Sequence, residues 1–67
     1  MPGDVGLVAS LLTKALGIIF DPDGYEQLAR ENQLKLLMRG CNAAIAANDW
    51  ATFDGLMDQY RELRQRT

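Results

Sequence analysis

The segment from Val5 to Phe20, VGLVASLLTKALGIIF, contains a single charge, Lys14, and is otherwise almost entirely apolar or small. The whole chain has only 67 residues, and domains of this size bury only about 60% of the surface that their unfolded chain exposes. The segment must therefore pack against the rest of the chain, against a copy of it, against another protein or against a membrane.

The segment has the pattern of an amphipathic helix with an unusually wide apolar side. At about 100° per residue, its small and polar residues fall within a single arc of about 100°. A helix that packs on one core needs an apolar stripe only somewhat wider than that arc. The pattern therefore predicts contacts on at least two sides, and more apolar surface than the rest of the chain can cover. The residues of the polar arc are Gly6, Ser10, Thr13, Lys14 and Gly17.

Two breaks divide the chain into three predicted helices. Asp21 can cap a helix whose first residue is Pro22, and the residue before a proline is pushed out of the helical region. Asn48 or Asp49 can cap a further helix. No strand pattern follows Phe20, so the predicted fold is all-α, a single small domain with an apolar N-terminal helix (residues 1–20) and an antiparallel helical hairpin (residues 22–67). The predicted helices are Val5–Phe20, Pro22–Ala47 and Asp49–Arg64.

The two later helices differ in pattern. The apolar side of the second helix drifts along its length, which predicts one neighbour for its first half and another for its second. The third helix has one stripe at spacings of three and four residues, in which the aromatic side chains are either local core, the interpretation we favour, or anchors for a partner. Gly55 in that helix predicts the close approach of a neighbour. The stripe comprises Trp50, Phe53, Leu56, Met57, Tyr60 and Leu63.

The sequence offers few groups for catalysis or metal binding. It has one cysteine and no histidine, which excludes an internal disulfide and the common zinc sites. Cys41 lies on an apolar face, where a buried structural thiol is favoured over a reactive one. Asp21 and Asp23 begin like a calcium loop, but Tyr25 follows where a ligand is needed. We expect no enzyme, no cofactor and no metal, and the net charge of −2 gives no reason to expect nucleic acid.

The apolar segment is a poor targeting signal. Asp4 precedes it, where a secretory signal needs a basic region. A transmembrane helix needs about 20 apolar residues, and this run is shorter and contains Lys14. We expect a cytoplasmic protein, and association with a membrane surface stays an open alternative.

The stretches FDPDGYEQLARENQLKLL and AIAANDWATFDGLMDQYREL carry a resemblance to a class of proteins. Their distinctive parts are residues 21–25 and 48–50. The chain resembles small helical accessory proteins encoded by tailed phages and prophages. The resemblance implies a viral setting, with the host cytoplasm as the location, and a role in binding a host or virion protein or in acting at the membrane during lysis. It implies no site residue.

Two functions follow from the apolar segment. The first is a protein-binding module that uses the N-terminal helix to bind a partner or to self-associate, with anchors at the spacing of a helix in a groove. The second is a peripheral membrane protein whose N-terminal helix lies on the bilayer, although such helices usually carry more Lys and Arg than this one. The predicted partner-binding residues are Val8, Leu11, Leu12, Ala15, Leu16 and Ile19.

Overall fold

The computed structural model describes residues 2–65, and the side chains of residues 5–65. Its four helices confirm the all-α fold, and the described residues form no strand. The third and fourth helices form an antiparallel hairpin, against which the first helix packs, while the short second helix contacts the first. The helices are α1 (Pro2–Leu16), α2 (Pro22–Glu26), α3 (Arg30–Ala46) and α4 (Trp50–Gln65).

Helix α1 ends at Leu16, so the predicted helix Val5–Phe20 is too long at its C-terminus. Gly17 has a φ of +70° and its N–H donates to the carbonyl of Thr13 at 2.8 Å. Glycine adopts this left-handed conformation without steric cost, and it commonly ends helices in this way. The Thr13 hydroxyl donates to Ala9 O and accepts from the N–H of Phe20 at 3.0 Å. Residues 17–20 therefore fold back against the last turn of α1.

The predicted helix Pro22–Ala47 is wrong as one element, because residues 27–29 separate α2 from α3. Its predicted start is confirmed, since Asp21 Oδ1 accepts from the N–H of Asp23 and Pro22 is the first helical residue. The Gln33 amide donates to the carbonyl of Tyr25 at 2.9 Å at the break. The break lets Tyr25 turn into the core, where it is buried. The drift of the apolar side along the predicted helix is consistent with the different directions of α2 and α3.

A tight turn joins α3 to α4. Asn48 has a φ of +56°, and the N–H groups of Asn48 and Asp49 donate to Ile45 O and Ala44 O, the pattern of a Schellman motif. Asp49 then caps α4, with Oδ1 accepting from the N–H of Thr52 and Oδ2 accepting from the Thr52 hydroxyl at 2.6 Å. The predicted cap is confirmed, and α4 itself runs one residue beyond the predicted Arg64.

Small residues on the hairpin let α1 approach closely. A Cβ placed on Gly40 would lie 2.8 Å from Leu12 Cδ2 and 3.1 Å from Leu56 Cδ1, and a Cβ on Gly55 would lie 2.9 Å from Leu11 Cδ1. The close approach predicted at Gly55 is therefore confirmed, with α1 as the neighbour. The fully buried side chains Leu12, Leu37 and Leu56 lie at the centre of the resulting core.

Candidate functional site

The predicted partner-binding residues of α1 do not form one exposed surface. Val8 is only 3% exposed and Leu12 is fully buried, so these two belong to the chain's own core. Leu11, Ala15 and Leu16 are half-buried against the same core. Ile19 is 90% exposed, but it lies beyond the end of the helix. A surface for partners on the folded chain therefore includes neither Val8 nor Leu12, because the hairpin already covers them.

The apolar surface that α1 leaves open lies mostly in the segment that follows it. Ile18 is 60% exposed next to the 90% exposed Ile19, in the loop that the Thr13 hydrogen bonds hold. We call residues 17–20 the isoleucine loop. Sequence reasoning missed Ile18, although the glycine before it was the available sign that the helix ends there.

A second apolar surface lies on the side of the α3–α4 hairpin that α1 does not cover. On α3 the buried residues point toward α1 and α4. A second row of apolar residues on this helix lies about 20–60° around the helix axis from Cys41. On α4 a second row of apolar residues lies about 40–120° around the helix axis from the buried Leu56. We call these two rows the outer face. It consists of Leu34, Met38 and Ile45 on α3, and Trp50, Phe53, Met57 and Tyr60 on α4.

Several outer-face side chains are open to solvent although they lie beside a packed core. Met38 is 44% exposed and Trp50 is 55% exposed, while Phe53, Met57 and Tyr60 are half-buried against the core. The rings of Trp50 and Phe53 meet edge to face, with centroids 5.7 Å apart. This contact holds the indole at the end of the hairpin near the turn. The sequence pattern suggested that these aromatic residues are either local core or anchors for a partner. In the structure they are only partly buried, so burial alone does not distinguish the two roles.

A shallow groove of about 330 Å³ lies at the opposite end of the outer face. Leu34, Met38 and Tyr60 form its apolar floor, and Glu31 and Lys35 stand at its edge. The Arg64 guanidinium lies over the Tyr60 ring, 5.9 Å from its centroid. The groove is thus an apolar depression with charges of both signs around it, an arrangement that accepts an apolar side chain and leaves the rim hydrated.

Charge at the turn end of the hairpin is locally balanced. Lys14 Nζ on α1 lies 4.0 Å from Asp49 Oδ2. The hydrogen bonds from the Thr52 hydroxyl and N–H, together with the nearby Lys14 charge, lower the pKa of the Asp49 carboxyl. This carboxylate stabilises the start of α4, so its role is structural.

The side chains of Tyr25 and Cys41 carry two further polar groups and are buried. A cleft of about 170 Å³ lies between α1, α2 and the end of the hairpin opposite the turn, and its lining includes Val5, Val8 and Tyr25. Burial raises the pKa of the Tyr25 hydroxyl. Burial also raises the pKa of the Cys41 thiol, which is 2% exposed. Within residues 5–65, no three Cys, Asp or Glu side chains are grouped so that they could hold one metal ion.

Comparisons with known proteins assign this chain to no family. No protein-family model matches the sequence, and searches of curated proteins and of solved structures found no significant match. Across the part of the chain that the structure describes, no helix is long and apolar enough to cross a bilayer.

Proposed function

We propose that this chain is a small protein-interaction module whose contact surface is the outer face of the α3–α4 hairpin. One observation carries the proposal: seven Met, aromatic and aliphatic side chains follow both helices on the side that α1 leaves uncovered, and three of them are exposed. Helix α1 packs against the inner side of the hairpin. The outer side is the larger apolar surface that another molecule can still cover.

The composition of the outer face supports a protein partner. Trp, Tyr, Phe and Met are the residues enriched in protein interfaces relative to the rest of the surface. Trp and Tyr also dominate the small sets of residues that carry most of the binding energy. Met38 and Met57 have flexible side chains that adapt to the shape of a partner. The role proposed here is binding, without catalysis.

The isoleucine loop favours a second candidate, which is contact with a lipid surface. Adjacent aliphatic side chains at 60% and 90% exposure, held on a closed turn beside Lys14, suit shallow insertion into a bilayer. The charge argues against it, because membrane-surface segments usually carry several Lys or Arg. Here Asp21 and Asp23 follow the loop directly. We therefore rank it second.

The viral setting is part of the proposal and rests on the resemblance alone. In the structure, the two segments that carry the resemblance are the start of α2 and the turn before α4. Asp21 and Asp49 in these segments cap helices, and Trp50 in the second segment belongs to the outer face. In a phage setting, the partner of the outer face would be a host or virion protein, or another copy of the accessory protein itself.

Site-specific photo-cross-linking in the cells that produce the chain tests the proposal. A benzophenone amino acid replaces Met38 on the outer face, Leu7 on the open side of α1, or Ile19 in the isoleucine loop, all exposed positions. We expect a discrete protein adduct from position 38 and little from position 7. Lipid adducts from position 19, without protein adducts from position 38, would favour the membrane role. The absence of any adduct at position 38 would contradict the proposed contact surface.

A further inference from the structure

We propose that the cleft between α1, α2 and the open end of the hairpin, opposite its turn, binds a primary alkylammonium group. Such a group is presented by a small aliphatic amine or by the side chain of a lysine. The cleft shares no lining residue with the outer face. This site is therefore an addition to the interaction role proposed above and does not depend on it.

The lining of the cleft changes from apolar to charged between its floor and its mouth. Val8 is buried, and Val5 and Leu63 are half-buried, so the inner part has aliphatic walls. The two charged residues of the lining, Glu26 and Glu62, are both acidic and both exposed, so they stand at the mouth. A ligand that fits this order has an aliphatic body and a positive charge at one end. Because Glu62 also interacts with another group of the chain, Glu26 is the carboxylate that we assign to the ligand.

The phenol of Tyr25 gives the cleft a polar group without a partner. The side chain is only 7% exposed, and its hydroxyl forms no hydrogen bond with the residues that the structure describes. Among those residues, every fully enclosed polar side-chain atom has a hydrogen-bond partner, so this hydroxyl keeps some accessible area. Because Tyr25 lines the cleft, a ligand there reaches the hydroxyl, and an N–H donor would supply the hydrogen bond that it lacks.

Two glutamine side chains add further acceptors. Gln33 and Gln59 line the cleft and are half-buried. The Gln33 Nε2 donates to the carbonyl of Tyr25 at 2.9 Å, which fixes the amide and leaves its Oε1 to accept from a ligand. A primary ammonium carries three N–H donors and no acceptor, so it matches a site made of phenol, amide and carboxylate oxygens. A trimethylammonium group has the same charge but no donor, and it does not match.

The volume of the cleft limits the ligand to a small group. At about 170 Å³, it has room for about six water molecules at about 30 Å³ each. Pockets for drug-sized ligands are larger, at about 300–1,000 Å³. An aliphatic chain of about five carbons with a terminal ammonium is comparable in size to this volume, and a lysine side chain has nearly the same form. So small a group binds weakly, and we expect a dissociation constant in the millimolar range.

Titration of the isotope-labelled full chain with n-pentylammonium, followed by heteronuclear NMR, tests the site. We expect saturable shifts of the amides around the cleft, in residues 5–8, 25–27 and 59–63. 1-Pentanol has a similar body without the charge, and pentyltrimethylammonium has the charge without N–H donors. Each should bind at least about tenfold more weakly, because it loses charge-assisted hydrogen bonds. Equal binding of the three compounds, or shifts that do not saturate, would overturn the site.

Variants of the lining separate the proposed contacts from the fold. Glu26→Gln removes the charge at an exposed position and Tyr25→Phe removes only the hydroxyl, so each should weaken pentylammonium binding by about threefold or more. Glu31→Gln is the matched control, because Glu31 is a carboxylate at the edge of the outer-face groove and outside the cleft. Far-ultraviolet circular dichroism checks that each variant is folded. A dissociation constant that neither cleft variant changes would contradict the assignment.

A lysine peptide distinguishes the two sources of the ammonium group. A tripeptide with a central lysine and blocked ends presents the group as a protein surface does. Binding of this peptide with the affinity of pentylammonium supports a lysine of a partner as the occupant. Binding of pentylammonium without binding of the peptide supports a free amine. Neither result depends on the outer face, so cross-linking at position 38 tests the interaction role separately.

Discussion

The two faces of the α3–α4 hairpin are built from different kinds of residue. On the inner face, leucines of α1 lie against Gly40 and Gly55, and the small residues Ala44 and Thr52 are buried. The outer face has large side chains of Met, Trp, Phe and Tyr in the corresponding rows. Small residues let two helix backbones approach and bury a neighbour's leucines, whereas large flexible ones form a corrugated surface. In this chain, small residues line the face that packs on α1, whereas large, half-exposed residues line the face that we propose binds a partner.

The largest expected difference between the faces is in the cost of truncating a side chain. Leu12 is fully buried between α1 and the hairpin, so Leu12→Ala should lower the free energy of unfolding by about 2–5 kcal/mol. Met38→Ala, on the outer face, should change it by about 0.5 kcal/mol or less in the monomer. Urea denaturation of dilute samples measures both. Similar losses for the two variants would mean that the outer face is core.

The glycines give a sharper comparison. Gly40→Ala places a methyl group against Leu12 and Leu56, neither of which is exposed, so overpacking of about 1–3 kcal/mol should exceed the gain in helix propensity of about 1 kcal/mol. Gly6→Ala is the matched control, because no atom apart from its chain neighbours and the backbone of its own helix lies within 4 Å of the added Cβ. It should stabilise the chain by up to about 1 kcal/mol. A stabilising Gly40→Ala, measured by thermal denaturation, would show that α1 is not seated closely there.

A smaller effect is expected from acid at the turn. The folded chain lowers the pKa of the Asp49 carboxyl below its ordinary value, so the carboxylate contributes stability above the unfolded-state pKa of about 4 and loses it as the pH falls through the folded value. Asp49→Asn keeps a capping side chain without the titration. The thermal midpoint of the variant should therefore fall less than that of the native chain between pH 5 and pH 2, values set by that same titration range. Parallel pH profiles for the two proteins would contradict this role of Asp49.

Local features of the fold were readable from the sequence, and features that depend on several elements were not. Asp21 with Pro22, and Asp49, cap helices through hydrogen bonds to residues two or three positions away, so they were predicted correctly. The break at residues 27–29 contains neither glycine nor proline. The drift of the apolar side indicated a change of neighbours, but the position of the break follows from burying Tyr25 against the rest of the fold.

The burial of Val8 and Leu12, two of the predicted partner-binding residues, was missed for a related reason. The wide apolar side of α1 did indicate contacts on several sides, and α1 does contact α2, α3 and α4. The hairpin supplies more of those contacts than the sequence pattern indicated. Gly40 and Gly55 let α1 approach closely enough to bury Val8 and Leu12. Their effect depends on which helix lies opposite them, and only the assembled structure gives that information.

Hydroxyl-radical footprinting of the chain, in the cells that produce it and in dilute purified form, tests most directly whether the outer face is the contact surface. Mass spectrometry compares the labelling of Met38 and Trp50 with that of Leu7, an exposed residue on α1 that serves as the reference. We expect Met38 and Trp50 to be protected several-fold in cells relative to the dilute chain, with labelling of Leu7 unchanged. Protection confined to Leu7 and Ile19, or equal labelling of all residues in both samples, would contradict the outer face as the contact surface.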